Sequence, residues 1–274
     1  MGRFRKVEHQ REQLQELRGI IASMKTLSQL ELHKLGGLAG EHHEMVRTLE
    51  HVASDFLSFY PRPDVSEGDT LWLVIGAERG FCGDFNESLL KHLRQACPDC
   101  VKSPQRVLAV GRRLWGRMEE GWPGFVPLPG ASVSEELPQA LSRVVAETQA
   151  QLSGQQASAL RLLYHGDEPE GVFSRRLLPP EIGAGTVTHR TPPLLQLPPE
   201  RFFTDFLQHY LYLALTEIFT DSLLAENRYR VQHLEGAVQR LDERLEVLAG
   251  RARALRQEEI TEEIETILLG TEGA

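Results

Sequence analysis

Apolar residues recur with heptad spacing through the last third of the chain, from about Arg201 to Gly270. One register contains Leu234, Leu241, Leu248 and Leu255, and the other contains Leu224, Val231, Val238, Leu245 and Ala252. Alternating gaps of three and four place both registers on one helical seam, as in a coiled coil. At about 1.5 Å per residue, such a helix would span on the order of 100 Å. It is too long for one small domain to cover, so its apolar stripe needs a partner.

A second heptad array covers residues 4 to about 59, and no proline precedes Pro61. Its first register contains Val7, Leu14, Ile21, Ser28, Leu35, His42, Leu49 and Phe56, and its second contains Leu17, Met24, Glu31, Leu38, Met45, Val52 and Phe59. This spacing predicts one helix of roughly 80 Å.

Two kinds of residue interrupt the apolar pattern of this first helix. Its seam contains three polar residues, Ser28, Glu31 and His42. They indicate a seam that is only partly buried or that faces another protein. A glycine cluster, Gly36, Gly37 and Gly40, predicts either a close helix crossing or a bend.

The hydrophobic period changes between the two arrays. Continuous apolar runs predict strands at Leu71–Ile75, Arg106–Val110 and Ala159–Tyr164, with a fourth strand or extended edge at Val172–Leu178. Helices are predicted at Phe85–Gln95, Arg112–Glu119 and Ser134–Leu152, and a loop at Pro123–Pro129. This order indicates a small, mainly parallel sheet flanked by helices.

The predicted fold class is therefore α/β. Long N- and C-terminal helices form an antiparallel coiled coil, and a small Rossmann-like parallel-sheet domain is inserted between them. The predicted boundaries are 1–60 for the first helix, 61–200 for the α/β domain and 201–274 for the last helix. The α/β part ends in a proline-rich connector, 179–199, with room for a short strand near Thr186–Arg190.

Composition excludes several classes of function. The formal net charge of −9 argues against general nucleic-acid binding. No run approaches about 18 apolar residues, and the basic start lacks the apolar stretch of a secretory signal, so neither a membrane span nor secretion is expected. Three cysteines, an odd and small number, favour a reducing compartment over a disulfide framework.

The most distinctive local string is Glu78-Arg79-Gly80-Phe81-Cys82-Gly83-Asp84-Phe85-Asn86. It follows a predicted strand, where α/β sheets place functional loops. Its glycines permit a tight turn, and Asp84 or Asn86 is a candidate cap of the next helix. The spacing matches neither glycine-rich phosphate motif, so a structural or docking turn is favoured over nucleotide binding.

The remaining candidate sites favour ordinary structural interpretations. Cys97 and Cys100 have Cys-x-x-Cys spacing but lack a second ligand pair, so two incidental thiols are favoured over zinc. The pair His42-His43 reads as a surface pair rather than a metal site. No nucleophile elbow or triad order appears, which disfavours an enzyme. No cofactor and no metal are therefore expected.

Three strings in this order resemble the gamma subunit of F-type ATP synthases. They are residues 22–27 (Ala-Ser-Met-Lys-Thr-Leu), the string 78–86, and residues 256–264 (Arg-Gln-Glu-Glu-Ile-Thr-Glu-Glu-Ile). Ala225-Glu226 followed by Arg230 is similar to a further family pattern, Ser-Glu-x-x-x-Arg. The stretch Ala252–Leu255 departs from the family, which indicates a divergent member, and a second, alternative ATPase stays open as its source.

The resemblance implies a non-catalytic rotor shaft inside a ring of alpha and beta subunits, peripheral to the cytoplasmic face of the inner (plasma) membrane. Its other implied partners are the epsilon subunit and the membrane c-ring. Implied contacts to beta are Met24, Lys25, Arg256, Gln257, Thr261 and Glu262. Implied docking residues at the foot are Arg79, Gly80, Cys82, Gly83 and Asn86, and Glu226 is an implied coupling residue. A coiled-coil scaffold or adaptor with an α/β head stays open as the alternative.

Overall fold

The computed structural model describes residues 3–60, 69–98, 106–119, 121–122, 124–155, 157–166, 171–181 and 191–271. The α-helices are α1 (Arg3–Phe59), α2 (Phe85–Ala96), α3 (Arg112–Met118), α4 (Leu137–Gln155) and α5 (Pro199–Thr271). The strands are β1 (Asp69–Ile75), β2 (Val107–Val110), β3 (Val126–Leu128), β4 (Ala157–Gly166) and β5 (Gly171–Leu178). Contacts divide the chain into unit 1, Met1–Ser28 with Val231–Ala274, and unit 2, Gln29–Arg230.

Unit 2 contains a five-stranded sheet of order β3-β2-β1-β4-β5. Strands β3, β2, β1 and β4 pair in parallel, and β5 is antiparallel to β4. The mainly parallel sheet predicted from the sequence is confirmed. The loop predicted at Pro123–Pro129 is wrong in part, because β3 lies within it. A three-residue edge strand that contains Pro127 is too short to show a period of its own.

Alternating residues of the strands face opposite layers, as the pleat requires. Leu71, Leu73 and Ile75 of β1 pack in a cluster that contains residues of α1, α4 and α5. Trp72 and Val74 pack in a second cluster with residues of α2 and α3. Both faces are therefore covered, which explains why these strands read as continuous apolar runs rather than as alternating ones.

Within unit 2, α1 and α5 lie antiparallel. His43 contacts Asp221, and the Tyr210 hydroxyl lies 3.2 Å from the Glu50 carboxylate. The Phe56 ring stacks on Phe203, at 5.8 Å between centroids. As residue numbers rise along α1, the numbers of their partners on α5 fall, which confirms the antiparallel arrangement.

Unit 1 is a second antiparallel segment of the same two helices. Arg18 donates two hydrogen bonds to the Asp242 carboxylate, at 3.0 and 3.2 Å. Lys25 pairs with Glu235 at 2.8 Å. Val7, Ser28, Leu234, Val238 and Ala252 are its buried seam residues.

The second heptad register of α1 does not face the seam along its whole length. Leu17, Leu38, Met45 and Val52 are 38 to 48% exposed. This exposure agrees with the partly buried seam that the polar residues of α1 predicted. The buried stripe of α1 in unit 2 combines Leu35 and Phe56 of the first register with Ala39, Val46 and Ala53, which belong to neither register.

The glycines of α1 do not mark a close crossing. A Cβ atom added at Gly36, Gly37 or Gly40 would meet nothing within 4 Å. Among the described residues, no helix is both long and apolar enough to traverse a bilayer. The strand predicted at Thr186–Arg190 lies outside the described residues. The three-part division at residues 60 and 200 stays a prediction.

Candidate functional site: a loop held by a buried ion pair

A buried ion pair on α5 lies directly beneath the loop that follows β1. The Arg230 guanidinium contacts the Glu226 carboxylate, and their side chains are only 5% and 4% exposed. Glu226 accepts hydrogen bonds from the backbone N–H groups of Glu78 (3.2 Å) and Arg79 (3.3 Å). Arg230 donates to the Gly80 carbonyl at 3.2 Å. The pair therefore holds the loop through its backbone.

The charges of this pair are tolerated in the interior because each has several partners. Burial raises the pKa of the Glu226 carboxyl, while Arg230 and the two backbone N–H groups oppose that shift. Removing one partner would leave the other charge buried and unpaired, which is costly. The pair thus fixes the position of α5 against the loop.

The loop itself adopts an unusual backbone conformation. Phe81 has φ = 67° and Gly83 has φ = 58°, both in the left-handed region. That region is strained for a bulky residue such as Phe81, whose side chain is 52% exposed. Cys82, between them, is buried. The turn therefore directs Phe81 outward and Cys82 inward.

Neither of the two residues expected to cap α2 forms a side-chain cap hydrogen bond. Asp84 occupies the N-cap position without a side-chain cap hydrogen bond. Asn86 is buried, and its side-chain oxygen accepts a hydrogen bond from the Ala77 N–H group at 3.0 Å. Asn86 therefore ties α2 to the start of the loop after β1. The predicted cap is confirmed in position for Asp84, but without its side-chain hydrogen bond, and is wrong for Asn86.

Five predicted docking residues, Arg79, Gly80, Cys82, Gly83 and Asn86, line one cavity of about 400 Å³ in unit 2. Arg112, Arg113 and Arg117 of α3 line it as well. Arg112 pairs with Glu78 at 3.0 Å and Arg117 with Glu87 at 2.9 Å. The three arginines were not singled out from the sequence as site residues. The local run Gly111-Arg112-Arg113, placed after a strand, was the available signal.

The six predicted shaft residues lie in unit 1, but they do not form one cluster. Lys25 of α1, the residue after Met24, contacts Glu235, whereas Arg256 lies over the Phe4 ring, 5.2 Å from its centroid. Phe4 and Lys25 are separated by roughly 30 Å of helix. Thr261 donates to the Gln257 carbonyl at 2.9 Å. Gln257, Thr261 and Glu262 are all exposed.

Unit 2 contains a second polar cluster that the sequence did not predict. Arg175 of β5 donates to Glu217 and to Glu50, each at 2.7 Å, and to the Tyr210 hydroxyl at 3.3 Å. Burial lowers the pKa of Arg175, but its acidic and phenolic neighbours outweigh that effect and raise it. The partners lie far apart in the chain, so no motif marks them.

The expected surface histidine pair contacts α5 instead. His42 lies 3.1 Å from the Thr220 hydroxyl, and His43 lies 3.1 Å from the Asp221 carboxylate. Across the part of the chain that the structure describes, no group of three or more metal-binding side chains occurs. Cys97 is disulfide-bonded, so two free thiols were wrongly expected there. Cys100 lies outside the described residues.

These features define a class of proteins in which an α/β domain is inserted between two long helices that pair antiparallel. The sequence model of the ATP synthase family matches residues 3–273, so the chain belongs to that family. Its curated relatives include two gamma chains. The ATP synthase gamma chain of Clostridium botulinum (strain Langeland) is 23% identical over 215 residues, covering 74% of this chain and 72% of the relative. The ATP synthase gamma chain of Bdellovibrio bacteriovorus is 22% identical over 291 residues, covering 99% of both.

Solved structures share the fold. A chain of the Euglena gracilis mitochondrial ATP synthase (OSCP/F1/c-ring, rotational state 3) superposes with a TM-score of 0.68 at 15% identity, covering 98% of this chain and 94% of that one. A chain of the Euglena gracilis rotor in rotational state 1 has a TM-score of 0.65 at 15% identity, covering 94% and 98%. A chain from the central stalk and c-ring of the Tetrahymena thermophila enzyme has a TM-score of 0.58 at 14% identity, covering 80% and 99%.

Proposed function

We propose that this chain is the gamma subunit, the non-catalytic central rotor stalk, of an F-type ATP synthase or ATPase. It couples rotation of the membrane ring to ATP synthesis or hydrolysis in the alpha-beta ring, and the catalytic sites lie on those other subunits. The observation that carries the proposal is the match of the ATP synthase family to residues 3–273, which spans both long helices and the inserted sheet. A free-standing scaffold is not favoured, because the match to the ATP synthase family includes both the coiled-coil helices and the α/β domain.

The partners follow from this role. They are the alpha and beta subunits, the epsilon subunit and the membrane c-ring, and the structural neighbours are chains of F1, c-ring and central-stalk assemblies. No nucleic-acid partner is proposed. The chain works at the cytoplasmic face of the inner (plasma) membrane as a peripheral subunit. As it turns, its differing sides favour different states of the catalytic subunits, which is a shift in populations driven by differential contact.

The loop after β1 is proposed as a docking element at the foot, with Arg79, Gly80, Cys82, Gly83 and Asn86 as its residues. Support comes from its exposed Phe81 and from its rigid attachment through Glu226. The coupling role of Glu226 is then indirect, since the carboxylate fixes the loop backbone rather than reaching a partner. Glu226→Gln would weaken its contacts to the two N–H groups without changing the side-chain volume.

The upper shaft contacts to beta are proposed as Met24, Lys25, Arg256, Gln257, Thr261 and Glu262. Exposure of the α5 members supports this assignment, since loops of another subunit can reach all four of these polar side chains. Arg256→Ala with Gln257→Ala should lower ATP-driven ion pumping while leaving the helical content unchanged. Unchanged pumping in reconstituted vesicles would count against these contacts.

Co-assembly tests the proposed function directly. The chain is expressed with and without its cognate alpha, beta and epsilon subunits, and each preparation is assayed for ATP hydrolysis. We expect no turnover by the chain alone, and a stoichiometric complex whose hydrolysis drives rotation of a bead attached to the chain. Robust ATP turnover by the purified chain, or a stable homo-oligomer that ignores the alpha and beta subunits, would refute the proposal.

A further inference from the structure

We propose that Arg175 is a positioning residue that fixes both long helices, α1 and α5, to the edge of the sheet. Torque then passes through this contact between the helices and the sheet. The inference rests on the proposed rotor function. Arg175 is the point at which three elements of unit 2 meet through one side chain. Its guanidinium reaches Glu50 on α1 and Glu217 on α5, each at 2.7 Å, while its backbone belongs to β5.

The position of Arg175 on the strand directs its side chain toward the helices. Phe173 and Leu177, two residues before and after it, both pack with the apolar cluster that contains α1 and α5 residues. Arg175 pairs with Leu162 of β4, which belongs to the same cluster, so Arg175 lies on that face of the sheet. The Glu217 side chain is only 10% exposed and that of Arg175 26%, so the contact is largely shielded from water.

The chemistry of the contact suits a lock better than apolar packing does. Burial of apolar surface is non-directional and offers little resistance to sliding of a helix along the sheet. Two charge-assisted bonds from one planar guanidinium are directional and fix relative position. Arg175 also donates to the Tyr210 hydroxyl, which lies 3.2 Å from Glu50, so the acceptors are themselves linked.

A histidine extends the cluster across the helix pair. The His43 ring on α1 lies 3.1 Å from Asp221 and 3.7 Å from Glu217 on α5. Glu217 is thus held by β5 on one side and faces α1 on the other. Because Glu50 lies on α1 and Glu217 on α5, the Arg175 contacts constrain both helices within unit 2.

The test compares Arg175→Met and Arg175→Lys in the assembled, membrane-reconstituted complex. Arg176→Met is the matched control, because Arg176 is the next residue of the same strand and donates instead to the Leu178 carbonyl. Measured quantities are ATP hydrolysis, ions pumped per ATP, and torsional stiffness from the angular fluctuations of a rod on the stalled shaft.

For Arg175→Met we expect assembly and near-normal hydrolysis, with torsional stiffness lower by about twofold or more, since the directional contacts are lost. The torsional stiffness of Arg175→Lys should lie between those of Arg175→Met and the wild type, because an ammonium keeps the positive charge but not the planar, two-pronged donor geometry of a guanidinium. Arg176→Met should match the wild type. If Arg175→Met does not assemble, Glu50→Gln with Glu217→Gln replaces it, because this pair weakens the same bonds without changing side-chain volume.

Stiffness and pumping equal to wild type in Arg175→Met, or in the double glutamine variant, would overturn the inference. An equal loss of torsional stiffness in Arg176→Met and Arg175→Met would also overturn it. Failure of the rotor proposal is distinguishable, because the wild-type chain itself would then not assemble with the alpha and beta subunits or rotate.

Discussion

Burial changes the reactivity of Cys82, the one described cysteine that is free. Loss of hydration raises the pKa of its thiol from 9.0 to about 12, and the nearby Glu226 carboxylate adds to the shift. Because the thiolate is the nucleophile, its population falls roughly 1000-fold. We expect very slow alkylation of Cys82 by iodoacetamide at pH 8, measured by mass spectrometry in a variant with Cys97→Ser and Cys100→Ser.

The same variant in denaturant is the control, and there Cys82 should react at the rate of an ordinary thiol. A native labelling rate within tenfold of the denatured one would show that the loop opens readily. The Glu226–Arg230 pair would then not hold the loop as tightly as its geometry indicates.

His165 is a titratable residue buried in the core. It is 1% exposed, stacks on Phe85 at 4.0 Å between centroids, and places Nε2 2.9 Å from the Phe85 carbonyl. That carbonyl can only accept, so Nε2 carries the hydrogen and Nδ1 is the basic nitrogen. Nδ1 has no hydrogen-bond partner in the described part of the chain. Burial lowers the pKa of His165, so the folded chain resists its protonation.

Stability should therefore fall as the pH falls below about 6.5, where the unfolded chain binds a proton that the folded chain excludes. The slope from this group is up to about 1.4 kcal/mol per pH unit. His165→Gln should be less stable at pH 8 yet lose less stability between pH 7 and 5, measured by urea denaturation. Equal slopes in His165→Gln and the wild type would contradict the assignment.

At the scale of elements, the glycines of α1 are open positions. An added Cβ atom at Gly36, Gly37 or Gly40 meets nothing within 4 Å. Each Gly→Ala change should stabilise the folded chain by about 1 kcal/mol through helix propensity. Gly111 is the contrast, because its φ is +107° and its Cβ would lie 2.5 Å from the Gly76 carbonyl oxygen.

Thermal or urea unfolding of the four single variants measures this difference. We expect Gly111→Ala to be destabilised and the three helical variants to be stabilised. Destabilisation of the helical variants would mean that these glycines serve a bend or an unseen contact after all.

The elements themselves were largely predictable from the sequence, because each rests on a local period. Long helices have heptads, and buried strands have continuous apolar runs. Strand β3 was not predictable, since three residues around Pro127 carry no period and depend on pairing with β2. The width of the buried stripe of α1 was not predictable for a related reason. Heptads show which residues share a face of a helix, but the elements packed against that face decide how much of it is buried.

The candidate site was predictable only where it is local in sequence. The loop 78–86 was recognisable as a motif, and Glu226 was predicted from the resemblance of its surroundings to a pattern of the gamma subunit family. Its contact with the loop joins positions about 147 residues apart, and the Arg175–Glu50 contact joins positions 125 apart. Such contacts follow from the topology of the whole domain. Arg175, a lone arginine on an edge strand, gives no signal until β5, α1 and α5 are placed together.

For the whole molecule, the outstanding question is whether Lys25 acts on the coil or on a partner subunit. Its ammonium group lies 2.8 Å from Glu235, and the two side chains are 23% and 48% exposed. Exposed pairs contribute about 0–1 kcal/mol, so Lys25→Glu should leave the fold intact. If Lys25 meets an acidic segment of beta, the same change should lower ATP-driven ion pumping in the reconstituted complex.

The charge swap Lys25→Glu with Glu235→Lys separates the two possibilities, because it restores the pair within the coil but moves the positive charge to α5. A contact to beta predicts that pumping stays low in the double variant, although its melting temperature returns to that of the wild type. Recovery of pumping would instead show that Lys25 serves Glu235 alone. The matched control swaps Arg18 and Asp242, another exposed pair of the same unit with bonds of 3.0 and 3.2 Å. Since no contact to beta is assigned to Arg18, this swap should leave pumping unchanged. That result would show that reversing an exposed ion pair of the shaft does not by itself lower pumping, so the lower pumping of the Lys25 variants would be due to the position of the Lys25 charge.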